Sequence, residues 1–153
     1  LFCVGKQDRQ FLSLVEFYKQ RIQHHAKLNI FELEVRNIKD EVKRNKIENQ
    51  KLIEIIKKRQ KTKSINLWAC DPRGQCFSSE QMASKMSQKK DSGQALGFLI
   101  GGSMGLNDLT LEICSQKLSF SKLTFPHQLF RVMLLEQIYR SFSIIDGVPY
   151  HKS

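Results

Sequence analysis

The sequence predicts an α/β fold on a mainly parallel sheet flanked by helices, and three observations carry that expectation. Short apolar or alternating runs of strand length recur at residues 1–5, 28–35, 64–70, 95–100 and 118–121. Longer segments with apolar residues at helical spacing lie between them, so strand and helix alternate throughout. The 153 residues, 41% of them hydrophobic, amount to a single domain over residues 1–153, long enough for a sizeable core.

Residues 1–5 read as a strand opening into a loop, and Asp8 can cap a helix whose apolar residues Phe11, Leu14, Val15, Tyr18 and Ile22 recur at helical spacing. His24 and His25 end it; adjacent residues do not share a helix face, so a solvated helix end is expected there and not a metal site. Residues 28–35 alternate, with Glu32 and Glu34 on the polar face. Residues 39–60 are mostly Lys, Glu, Asn and Gln with Val42, Ile53 and Ile56 as a sparse stripe, the pattern of a long exposed helix with one buried edge. The third strand, 64–70, places Trp68 in the core or an interface, and 71–74 is a turn. Ser78 and Gln81 have the form of a capping box for a helix through Met86, which Lys89 to Gly93 close. The strand from Ala95 ends on Gly101 and Gly102, and Asn107 caps a short helix. A strand at 118–121 and a helix over 127–142, with Val132, Leu135, Tyr139 and Phe142 as its buried stripe, complete the chain.

Composition excludes several classes. No apolar run approaches the ~18 residues of a membrane span, and no signal-peptide pattern opens the chain, so a cytoplasmic protein is expected. The first residue is Leu1 and not Met, which reads as a first strand lacking a few natural residues. Cys3, Cys70, Cys76 and Cys114 are scattered without a Cys-x-x-Cys pair, so neither a zinc ribbon nor a disulfide framework is indicated and reduced thiols are expected. Residues 1–66 carry 16 Lys and Arg against 8 Asp and Glu, while residues 67–153 carry 9 against 7, so most of the net charge of +10 lies in the first part. That asymmetry points to a polyanionic partner, with Lys57, Lys58, Arg59, Lys61 and Lys63 as contacts, although a solvated helix face has the same appearance.

The glycines at 101, 102 and 105 follow a buried strand, where a ligand can approach the main chain closely. They fail the dinucleotide-binding pattern, which needs Gly-x-Gly-x-x-Gly. Gly101, Ser103 and Gly105 do fit the nucleophile elbow, with Asp146 and His151 following in hydrolase order, but both of those sit on one short tail.

Four stretches carry a family resemblance: Leu-Ile-Gly-Gly-Ser-Met-Gly-Leu at 99–106, Leu-Ser-Phe-Ser-Lys-Leu-Thr-Phe-Pro-His-Gln at 118–128, Arg-Val-Met-Leu-Leu-Glu-Gln-Ile-Tyr-Arg at 131–140 and Pro-Tyr-His-Lys at 149–152. Together they resemble the large-subunit ribosomal RNA methyltransferase H family of the SPOUT superfamily. The resemblance implies a C-terminal trefoil knot, which periodicity does not predict, and S-adenosylmethionine as cofactor with no metal. It places the cofactor against three loops, at Cys70, where the family usually has an aliphatic residue, at Gly102, and at Ser121, Lys122, Leu123, Thr124, Phe125 and Pro126. It further implies a catalytic set of His127, Arg140, Tyr150 and His151, with the C-terminal tail reaching a methyl donor across a homodimer interface. The reaction implied is methylation of N3 of a pseudouridine in 23S ribosomal RNA; the side chains of His127, His151 and Glu136, and solvent, remain open as acceptors of the imide proton. The alternative is a non-catalytic basic RNA-binding module in which the glycine loop is structural.

Overall fold

The computed structural model describes residues 1–151 and has the α/β class expected. Its elements are β1 (Phe2–Val4), α1 (Arg9–Gln23), β2 (Phe31–Leu33), α2 (Glu41–Gln60), β3 (Ile65–Cys76), α3 (Ser79–Asp91), β4 (Ala95–Ile100), α4 (Asp108–Glu112), β5 (Gln116–Ser119) and α5 (His127–Ile145). The strands lie in the order β2-β1-β4-β3-β5, and every pairing is parallel. Parallel neighbours need crossover connections, and here the crossover helices cover both faces of the sheet.

Side-chain alternation divides the core accordingly. Cys3, Trp68, Phe98, Ile100 and Leu118 pack with Val15, Ile22, Met82, Met86 and Leu135, from α1, α3 and α5. Phe2, Val4, Leu67, Ala69 and Leu99 point the other way, to Leu52 and Ile56 of α2 and Leu111 of α4. Both faces are buried, which is why the strands read as apolar runs.

Several local expectations are corrected. Asp8 stands at the N-cap of α1 but makes no capping hydrogen bond among the described residues. Leu14 and Phe17 are each 45% exposed, so α1 turns an apolar strip outward. His25 is not a solvated helix end: its ring stacks on Phe142, and Nδ1 lies 2.6 Å from Asp146 Oδ2. In α2, Val42 is exposed and the buried edge is Glu48, Asn49, Leu52 and Ile56. The cause is position: the first turns of α2 face the loop after β4, where polar partners wait, and only the later turns reach the sheet. Strand β3 pairs with β5 on both sides of a bulge, Cys70 and Gln75 both standing opposite Leu118, so 71–74 arches away from the sheet.

Candidate functional site

The C-terminal ends of β4, β3 and β5 open into a cavity of about 630 Å³, within the range of small-molecule sites. Three loops wall it, each built differently.

After β4 the chain doubles back. A Cβ on Gly101 would stand 2.5 Å from the Gly105 carbonyl carbon, so no other residue fits there without moving backbone. Gly105 N–H donates to the Gly102 carbonyl at 2.9 Å, and Gly105 itself sits at φ +72°, where glycine is at home. Gly102 lines the cavity, yet its missing Cβ is aimed elsewhere: it would meet Glu48 Oε2 at 2.6 Å and Val4 Cγ1 at 3.1 Å. The small residue there makes room for α2 and β1.

After β3, Asp71 is buried and Arg73 closes on it. Arg73 donates from Nε at 2.9 Å and from Nη2 at 3.1 Å, and also reaches Asp108 at 3.2 Å and the Leu106 carbonyl at 3.2 Å. One guanidinium thus ties two walls together. Burial would raise the Asp71 pKa, but the Arg73 hydrogen bonds outweigh it and hold the carboxyl below its usual range. Cys70 beside it is pushed well up by burial, so it presents a neutral thiol.

After β5, Ser119 Oγ donates to the Ser121 carbonyl at 2.8 Å and Leu123 N–H donates to Ser121 Oγ at 3.0 Å, which curls the loop into a short turn. Phe120 and Phe130 pack at 4.7 Å between ring centres and anchor it to α5. His127, the first residue of α5, stands at the edge of the cavity.

Of the residues singled out from the sequence, Cys70, Gly102, Ser121, Leu123, Thr124, Phe125 and His127 line this one cavity. Lys122 and Pro126 belong to the same loop without lining it. Arg140, Tyr150 and His151 gather elsewhere, around Glu136. Arg140 Nη2 donates to Glu136 Oε1 at 2.7 Å, Tyr150 Oη donates to the same oxygen at 3.1 Å, and His151 lies 3.3 Å from Arg140 and 2.6 Å from Glu80. Arg140 comes thirteen positions after His127 along the helix, roughly 20 Å at 1.5 Å per residue. Lys152, the end of the C-terminal motif, lies outside the described residues. The nucleophile-elbow reading fails on geometry: Ser103 bonds Arg44, Asp146 pairs with His25, and His151 pairs with Glu80.

Sequence reasoning missed Asn45, Asp71, Arg73, Asn107 and Asp108, which also line the cavity. An acid and a base two residues apart in the 71–74 turn were the signal available for one pair of them.

A family profile described as "Predicted SPOUT methyltransferase" matches residues 1–151. The chain is 42% identical over 160 residues to a ribosomal RNA large subunit methyltransferase H of Clostridium acetobutylicum, covering 99% of this chain and 98% of that protein. A relative of the same name from Clostridium botulinum (strain Okra / Type B1) is 40% identical over 156 residues, covering 99% and 98%. Among solved structures, the SpoU methyltransferase AviRb of Streptomyces viridochromogenes superposes with a TM-score of 0.52 at 14% identity, a likeness of fold covering 95% of this chain and 59% of that one.

Proposed function

The chain belongs to the SPOUT methyltransferase family, and from that premise we propose that it methylates N3 of a pseudouridine in 23S ribosomal RNA, using S-adenosylmethionine, as a cytoplasmic homodimer. The observation that carries the reading is the convergence of three loops, from far-apart stretches of sequence, on one cavity at the C-terminal edge of the sheet. The ribosomal substrate comes from the names of the relatives.

The cavity fits a nucleoside-sized ligand. Ile100, Leu118, Phe130 and the neutral Cys70 offer apolar surface suited to a base, while Asp71, Asn107, Asp108 and Ser121 bring hydrogen-bonding groups. Bound S-adenosylmethionine supplies a methyl group already activated on a sulfonium. The protein's contribution is then to orient two reactants and keep water out, with the exposed Leu123 and the neighbouring Phe125 able to cover the mouth. Of the three groups open as acceptors of the imide proton, His127 is favoured. It lines the cavity of its own chain, whereas Glu136 is held by Arg140 and Tyr150, and His151 by Glu80.

Arg140, Tyr150 and His151 can serve such a reaction only if they complete the cavity of a second protomer. The outward Leu14 and Phe17 of α1, with Arg21 4.2 Å over the Phe17 ring, give an apolar strip that a partner could cover. The knot is proposed from the family's fold; at Gly74 a Cβ would lie 2.6 Å from the Lys117 carbonyl carbon, so the 71–74 arch packs against the strand leading to the last helix. No helix among the described residues is long and apolar enough to cross a membrane.

Calorimetry with S-adenosylmethionine, followed by methylation of large ribosomal subunits and mass mapping of the product, tests the reading. Saturable binding and one new methyl group on a pseudouridine are expected. RNA binding without any cofactor binding would support the non-catalytic module instead. Sedimentation should give twice the protomer mass; a monomer at micromolar concentration would remove Arg140, Tyr150 and His151 from the site.

A further inference from the structure

We propose that Asn49, a side chain on α2 with 1% of its surface exposed, is a positioning residue for the loop after β4; this rests on the reading of that cavity as the S-adenosylmethionine site. Asn49 stands behind the wall and does not line the cavity. Its Oδ1 accepts from the Asn107 backbone N–H at 3.0 Å and from the Thr110 hydroxyl at 2.7 Å. Its Nδ2 donates to the Asn45 carbonyl at 2.9 Å and to the Gly105 carbonyl at 3.4 Å. Both ends of one amide are therefore engaged, and the two loop residues they hold, Gly105 and Asn107, do line the cavity.

Its neighbours on α2 work on the same loop. Asn45 donates to the Gly105 carbonyl at 2.9 Å, and Arg44 donates to Ser103 Oγ at 3.3 Å. Residues 44, 45 and 49 fall within little more than one helical turn, so a rigid helix presents three donors to one loop. The loop needs them. With glycine at 101, 102 and 105 its unfolded chain has much conformational freedom to lose, and the Gly105 N–H to Gly102 carbonyl bond is the backbone bond described inside it. Asn107 also caps α4, whose first residue, Asp108, receives Arg73 from the neighbouring wall. Removing Asn49 leaves the Asn107 N–H and the Thr110 hydroxyl without this acceptor and loosens the loop after β4, to which Arg73 ties the neighbouring wall.

The test compares Asn49→Ala with Ser141→Ala, a buried control whose hydroxyl bonds the Gln137 carbonyl on α5 at 2.8 Å, far from the loop. Asn49→Ala is expected to raise the dissociation constant and the KM for S-adenosylmethionine about tenfold or more, with kcat at saturating cofactor within about threefold of the parent. Ser141→Ala should lower stability and leave cofactor affinity unchanged. Amide exchange in cofactor-free protein is read in parallel. Residues 102–107 should exchange at least about tenfold faster in Asn49→Ala, with 97–100 of β4 unchanged. Parent-like affinity together with parent-like exchange in the loop would overturn the role of Asn49. Failure of the parent protein to bind S-adenosylmethionine would instead overturn the cofactor reading, and the exchange result would still decide whether Asn49 holds the loop. Should Asn49→Ala not fold, Asn49→Ser takes its place with the same expectations.

Discussion

Arg131 shows what a single residue contributes here. It lies on α5, where it is 1% exposed, ion-paired with Glu32 and donating to the Gly5 carbonyl at 2.8 Å. It joins the start of α5 to the ends of β1 and β2, so its charge serves the framework. Arg131→Met should lower unfolding free energy by about 3 kcal/mol, because Glu32 and the Gly5 carbonyl lose their partner together; urea denaturation measures it. Cys3, on the face that β1 turns towards α5, gives a pH dependence. Burial pushes its thiol from the ordinary 9.0 up to about 11. The folded chain then keeps a proton that the unfolded chain releases, so this contribution is complete below pH 9 and is lost as pH rises towards about 11. Cys3→Ala should flatten the fall in urea midpoint between pH 8 and pH 10 relative to the parent. An equal fall in both proteins would show that other groups cause it.

At the scale of elements, caps and close approaches set where each piece stops. Ser78 Oγ accepts from Gln81 N–H at 3.2 Å while Gln81 Oε1 accepts from Ser78 N–H at 2.9 Å, the reciprocal pair that the sequence pattern announced. Ser78→Ala should therefore cost about 1 kcal/mol. Gly74 is a different case, because its requirement is invisible locally. A Cβ there would meet the backbone of Lys117 and Leu118 at 2.6 and 2.7 Å, atoms of a strand more than forty residues later that cannot swing aside. Gly74→Ala should destabilise by roughly 2 kcal/mol or more and loosen β5 from the bulge of β3. Chemical denaturation gives the first number, and amide exchange at residues 116–119 the second effect. An alanine tolerated at no cost would mean that the arch can lift from the strand.

Across the whole molecule the strongest basic run lies away from the cavity. Asn45 touches the cavity near the start of α2, and Lys57 comes twelve residues later, roughly 18 Å along the axis, at the edge of the sheet where β3 begins. Lys57, Lys58, Arg59, Lys61 and Lys63 are exposed and form no ion pair with a carboxylate among the described residues, Arg59 resting 4.5 Å over Phe31. Neutralising Lys57, Lys58 and Lys61 should weaken RNA binding and reduce its salt dependence by about one unit of slope per lost contact, with S-adenosylmethionine affinity unchanged. Unchanged RNA affinity would make the run a solvated helix face. The α/β class, the order of the elements, the caps at Ser78 and Asn107 and the apolar run into the glycines were legible in the chain, because period, caps and turns are properties of neighbouring residues. Distant partners were not. The closure of Arg73 on Asp71 and Asp108, the bonds of Asn49 to the glycine loop and the direction of the space beside Gly102 depend on how α2 and the strand-end loops sit against the sheet. The exposure of Val42 and Leu14 has the same origin, since spacing marks a helix face but only packing decides whether anything lies against it.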